Sequence, residues 1–105
     1  MLNHIVLVGR LAEDPKIEEN INICKITLIV PRPYKNIEGE YDNDYIDCIL
    51  MNGVAQNTTE YCHKGDLIGI KGRIQTTIIN DKKITDIIAD RVTILKNERE
   101  SENNE

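Results

Sequence analysis

Apolar and polar positions alternate through most of this chain. From Asn20 to Val30 the even positions Cys24, Ile26, Leu28 and Val30 make one apolar face, while Lys25 and Thr27 share the other with Ile23 and Ile29. A period of two predicts a strand, here with one face buried and the other partly covered. Ile5 to Leu11 predicts a shorter strand with Gly9 near its end, followed by a turn at Glu13-Asp14-Pro15. Pro31-Arg32-Pro33 is expected to end the second strand, because proline has no N–H to give a ladder. Residues 34 to 44 are polar and turn-rich around Gly39, which predicts a mobile loop or a loose hairpin tip. A third strand is expected from Asp44 to Met51.

The period then changes. Val54, Ala55, Thr58, Tyr61 and Cys62 fall at helical spacing, so a short amphipathic helix is expected there, with Tyr61 in the core and Gly65 as the stop. The stretch from Tyr61 to Ile79 organises the rest. A strand starts at Asp66 and carries Gly69 and Gly72, and glycine inside a strand marks a bulge, a sharp bend or a close backbone approach. Its first half is expected to close a core and its second half, Thr76 to Ile79, to reach out as one arm of a hairpin. Asn80-Asp81-Lys82-Lys83 makes the turn, and a fifth strand runs from Ile84 to about Leu95. Beyond Lys96 no apolar residue occurs, so one domain over residues 1–96 and a disordered acidic tail over 97–105 are expected. The order of elements predicts an all-β chain, a five-stranded OB-fold Greek-key barrel with one short helix between strands three and four. A split β-α-β sheet is the competing architecture, but it wants a second helix.

Composition narrows the function. The 105 residues suit one domain with a real core, and 40% hydrophobic with 30% charged residues is ordinary for a soluble protein. No apolar run nears the roughly 20 residues that span a bilayer. The start, MLNHIVLVGR, has neither a basic leader nor a small-residue cleavage site, so a cytoplasmic location is expected. The three cysteines, Cys24, Cys48 and Cys62, are far apart and set among apolar neighbours, which predicts buried free thiols. Of the formal charge of −5, residues 98–105 hold −3, so the body is near neutral and unlike a basic reader of duplex DNA.

No catalytic set stands out. His63 is expected at the helix end as a cation, and adjacent Cys62 points about 100° away from it on a helix. Asp42, Asp44 and Asp47 form a loose acidic group without a phosphate-binding partner for Mg²⁺. No glycine-rich nucleotide loop is present. No enzyme activity, cofactor or metal is therefore expected.

MLNHIVLVGRLAEDPKI, DYIDCILM and EYCHKGDLIGIKGRIQT, with a weaker IADRVTIL, occur in an order and spacing that resemble the bacterial single-stranded-DNA-binding proteins, the homotetrameric OB-fold kind, over residues 1 to about 96. The resemblance implies sequence-independent binding and protection of single-stranded DNA during replication, recombination and repair. It implies a cytoplasmic, nucleoid-associated homotetramer, or at least a dimer. Ile5 to Val8 is apolar on both faces, which leaves a surface for self-association.

Such proteins stack bases on aromatic rings in a basic groove, at roughly 1–3 kcal/mol per base. Tyr34 and Tyr45 stand at stacking positions of the family, whereas Met51 and Ile79 stand where it usually has aromatics. The chain has four tyrosines and no tryptophan or phenylalanine, so weaker binding per nucleotide is expected. Arg10, Arg32, Lys35, Lys71 and Arg73 are candidate phosphate contacts, with Lys82 and Lys83 at the hairpin tip. Each of them also fits an ordinary solvated charge. Tyr41 lies in the loop, and its spacing assigns it no role. The chain ends Glu102-Asn103-Asn104-Glu105, without the closing Pro-Phe by which family tails dock partner enzymes, so that docking is not carried over. A second reading is an OB-fold protein-interaction module resembling primosomal replication proteins.

Overall fold

In a computed structural model that describes residues 1–97, the chain is built of strands and one helix. In order these are β1 (Ile5–Leu11), β2 (Ile17–Glu18), β3 (Ile23–Lys35), β4 (Tyr41–Met51), α1 (Asn52–Tyr61), β5 (Leu67–Ile79) and β6 (Lys82–Lys96). The tail expected from residue 97 lies, apart from Asn97, outside the described residues. The sheet order is β1-β5-β6-β4-β3-β2. β1 closes it into a ring. Ile5 to Arg10 pair antiparallel with β5, while Arg10 and Leu11 also pair with Ile29 and Leu28 of β3. The parallel contact Ile49↔Ile88 joins β4 to β6 and supplies the Greek-key crossing. The all-β OB-type architecture is as expected, with the two-residue β2 as an addition to the five strands.

The ring fills with the residues the alternation marked. Cys24, Ile26 and Leu28 of β3 meet Cys48 and Leu50 of β4, Ile68 and Ile70 of β5, and Leu11 and Ala89. A fully buried isoleucine or leucine contributes about 1.5–3 kcal/mol. All three cysteines are free and buried. Burial raises each thiol's pKa, with Cys48 pushed up to about 11.

Gly72 marks the bend. The β5–β6 register slips between Lys71 and Gly72, and a Cβ at Gly72 would stand 2.0 Å from the Ile88 carbonyl oxygen. Gly69 carries no such constraint, since a Cβ there would meet its nearest neighbour at 3.7 Å. Beyond the bend β5 and β6 leave the ring as a two-stranded arm. Asn80 and Asp81, with φ of 51° and 64°, close it in the left-handed conformation that a two-residue hairpin turn requires.

Several local expectations change. β3 does not stop at Pro31 but runs through Pro33 to Lys35, and β4 begins at Tyr41. The ladder tolerates the prolines because its register shifts between Pro31 and Lys35, the kind of irregularity that accommodates proline. Residues 36–40 are a tied hairpin end: the N–H groups of Glu38 and Glu40 donate to Asn36 Oδ1 at 2.9 and 3.0 Å.

Tyr61 is not in the core but 58% exposed. The helix buries Ala55 and Thr58, and Cys62 just beyond it, leaving Tyr61 at the flank of that stripe. Nor does Gly65 stop the helix, which already ends at Cys62 in extended backbone. Gly65 instead takes a φ of 90° in the next turn and donates its N–H to Leu11 O at 2.8 Å. His63 sits in that turn, past the helix end, with its N–H on the Asp66 carboxylate at 2.8 Å.

Candidate nucleic-acid interface

The outer face of the β3–β4 ladder follows from strand alternation. Lys25 lies opposite Ile49, Thr27 opposite Asp47, and Ile29 opposite Tyr45. Thr27 Oγ1 donates to Asp47 Oδ1 at 2.6 Å. Tyr45 is 66% exposed, so its ring lies open to solvent on this face. On the arm, the pairs Ile74↔Ile87, Thr76↔Thr85 and Ile78↔Lys83 share one face. The arm root and the β4 face enclose a cleft of about 420 Å³, lined by Lys25, Tyr45, Ile46, Asp47 and Ile49 on one side and Ile74, Thr85, Asp86 and Ile87 on the other.

The cations are placed less simply. Arg32 gives both Nε and Nη2 to Asp44 Oδ1, at 3.1 and 3.0 Å, and its Nη1 lies 3.8 Å from Asp42. The hydrogen bond that Arg32 donates to Asp44 raises the pKa of a guanidinium that is charged in any case. Arg73 is paired with Asp90. Arg10 donates from Nη1 to Gly65 O at 2.9 Å. The Lys35 ammonium lies over the Tyr41 ring, 5.8 Å from its centroid. Lys71 pairs across the ladders with Val6 and Arg91, and with them lines a separate depression outside the Tyr45 cleft.

The comparisons with known proteins agree on one family. A model described as the single-strand binding protein family matches residues 2–95. This chain belongs to the single-strand binding protein family. It is 38% identical to single-stranded DNA-binding protein B of Bacillus subtilis (strain 168) over 90% of this chain and 91% of that one. It is 37% identical to single-stranded DNA-binding protein 3 of Listeria innocua, over 94% of this chain and 67% of the relative. Single-stranded DNA-binding protein 1 of Staphylococcus aureus (strain MSSA476) is 34% identical over 98% of this chain and 71% of the relative.

Within this member of the family the marked residues divide. Tyr45 lines the cleft, and Tyr34, 63% exposed, stands on β3 past the register shift. Met51 is half-buried, faces Ile23 across the ladder and precedes the first turn of α1, so packing already claims part of its side chain. Ile79 pairs with Lys82 at the arm tip, and alternation places it on the opposite face from Ile74, Thr76 and Ile78. Ile78, 74% exposed, therefore shares the cleft's face where Ile79 does not.

Lys25 and Asp86 line the cleft without having been singled out in the sequence. For Lys25 the signal was present, since alternation put it on the outer face of the second strand. For Asp86 it was not, since only the arm's register brings it beside β4.

Proposed function

We propose that this protein binds single-stranded DNA along the outer face of β3–β4 and the inner side of the arm. Its role is to coat and protect single strands during replication, recombination and repair. The observation that carries this reading is the exposed Tyr45 ring standing over an aliphatic cleft in a chain of the single-strand binding protein family. A base meets Tyr45 by its π-face, and Ile49, Ile74 and Ile87 offer it apolar contact without ring stacking. Tyr34 extends the track along β3. Lys25 at the cleft rim and Lys35 beside Tyr34 are the cations best placed for phosphates, because Arg32 and Arg73 spend their charge on Asp44 and Asp90. The action is binding, with no bond made or broken, in the cytoplasm where such strands are exposed.

Self-association belongs to the same reading. Val6 and Val8 are 74% and 47% exposed, and one edge of β1 is paired with β5 while β3 takes up only its last two residues among those described. An open edge beside an apolar face fits a second copy, giving a dimer and, by pairing of dimers, a tetramer. Among the described residues no helix is long and apolar enough to cross a membrane.

Titration with oligo-dT, followed by intrinsic tyrosine fluorescence at two salt concentrations, tests the binding. Tyr34→Ala and Tyr45→Ala are each expected to weaken it by roughly 1–3 kcal/mol. Equal affinity of the wild type and the double variant at low salt would remove the reading. Light scattering tests the assembly, and a monomer at tens of micromolar would remove that part alone.

A further inference from the structure

We propose that the pairing of identical outer faces of β1, β5 and β6 is gated by charge, so that dimers of this protein join into tetramers as salt rises. The inference rests on the self-association reading above and adds to it a regulation by ionic strength.

The ladder registers lay out this face in rows. Val6 stands opposite Lys71, and Lys71 opposite Arg91. In the next row Val8 stands opposite Gly69, and Gly69 opposite Thr93. Alternation turns these residues outward, away from Ile68, Ile70 and the core. Gly69 meets no close neighbour inside the fold, since a Cβ there would have 3.7 Å of clearance. On the outside it leaves a depression of about 250 Å³, lined by Val6, Lys71, Arg91 and Thr93. A glycine so placed lets another backbone approach closely. With the exposed Val6 and Val8 beside it, the face suits a second sheet packed against it.

The charge of the face opposes that packing. Lys71 and Arg91 lie directly opposite each other, an unfavourable arrangement for like charges. Among the described residues neither forms an ion pair. In the stretches that make this face, residues 5–11, 67–73 and 89–96, Asp90 is the one acid, and Arg73 holds it. A two-fold axis sets the same patch of each copy against itself. Face-to-face pairing therefore gathers Lys71 and Arg91 of both copies into one interface, where the face itself offers no free acid to meet them.

Salt acts on only one side of this balance. The apolar contact of Val6 and Val8 changes little with ionic strength. The repulsion is screened as the Debye length falls from about 30 Å at 0.01 M to about 10 Å at 0.1 M. Pairing at the β1 edge escapes the conflict, because two β1 strands then stand between the Lys71 of one copy and that of the other. Charge thus separates the two steps of assembly.

Sedimentation velocity at low micromolar protein, over sodium chloride from about 20 to 300 mM, makes the test. The wild type is expected to pass from dimer to tetramer, its dimer–tetramer dissociation constant falling roughly tenfold. Lys71→Glu sets an opposite charge against Arg91, and Arg91→Glu does the same against Lys71. Both side chains are exposed, so neither change disturbs the core. Each variant is expected to be a tetramer at the lowest salt, with a mass that salt leaves unchanged. Oligo-dT titration of the wild type over the same series is expected to run the other way, since phosphate contacts weaken as salt rises. A wild-type tetramer at the lowest salt, or a dimer at every salt, would overturn the gate and leave the single-strand reading intact. Variants that still need salt to assemble would overturn it too. A monomer throughout would overturn the self-association reading along with it.

Discussion

The side-chain amide of Asn3 grips the backbone of Ile74 from both sides. Its Nδ2 donates to Ile74 O at 2.7 Å, and the Ile74 N–H donates to its Oδ1 at 2.9 Å. The amide thereby acts as one more residue of β1 and extends the β1–β5 ladder past Ile5↔Gly72, to where the arm leaves the ring. Ile74 lines the candidate cleft, so the grip ties the start of the chain to the interface. Asn3→Ala is expected to lower stability by about 1–2 kcal/mol, the net worth of two exposed hydrogen bonds. It is also expected to speed hydrogen exchange at the Ile74 amide ahead of the core strands. An unchanged exchange rate at Ile74 would show that the arm root does not depend on Asn3.

The bend at Gly72 separates two glycines that look alike in sequence. Gly72→Ala drives a Cβ to 2.0 Å from a backbone oxygen, and backbone cannot swing aside as a side chain can. A loss of about 2–3 kcal/mol is expected, at the upper end for overpacking. Gly69→Ala meets the Leu95 side chain at an ordinary 3.7 Å and is expected to cost under about 1 kcal/mol. Urea unfolding of the two variants side by side checks this, and equal losses would contradict the assigned bend.

Arg32 is held by Asp44, so its charge is spent within the protein. Both groups are more than a third exposed, so solvent screens the pair and it adds little to stability. Asp44→Asn is expected to leave the fold intact and release the guanidinium towards the strand. Oligo-dT binding should tighten, and the slope of log K against log salt should steepen by about 1. A salt series on both proteins is the measurement, and parallel slopes would mean that Arg32 stays out of reach of phosphate.

Cys48 makes stability fall at high pH. Burial, and secondarily the Asp47 charge, raise its thiol from 9.0 to about 11, so the folded protein holds this proton more tightly than the unfolded chain. The associated stability is fully present below about pH 9 and is lost as pH rises towards about 11. Cys48→Ala is expected to lower stability at neutral pH by leaving a small cavity, and to flatten the decline over that window relative to the wild type. Denaturant unfolding at a series of pH values distinguishes the slopes, and identical slopes would assign the decline to Cys24, Cys62 or other groups.

Much of this molecule was legible along the chain. Cys24, Ile26 and Leu28 had to face a core because a strand alternates, and the apolar content of the sequence leaves that face nowhere else to go. Gly72 read as a bend, Asn80-Asp81-Lys82-Lys83 as a turn (the hairpin turns on Asn80 and Asp81 alone, with β6 starting at Lys82), and the order of strands and helix as an OB-type architecture, all from local chemistry. Tyr45 read as an exposed ring through its resemblance to a known position.

What the tertiary structure alone decided lies between segments. The carboxylates that Arg32 meets were not legible, because only the β3–β4 hairpin sets it beside Asp44 and Asp42. The same holds for Arg73, which the β5–β6 register brings to Asp90. Tyr61 had the spacing of a core residue, but how far round the helix the core reaches depends on where Val92 and Ile94 of β6 stand beside it. Lys25 and Asp86 share a cleft only because the ring closes and the arm bends where it does. The physical reason is common to these cases. Period and turn chemistry act over a few residues and fix which way a side chain points. Which other side chain it meets is fixed by register and ring closure, which depend on residues tens of positions away.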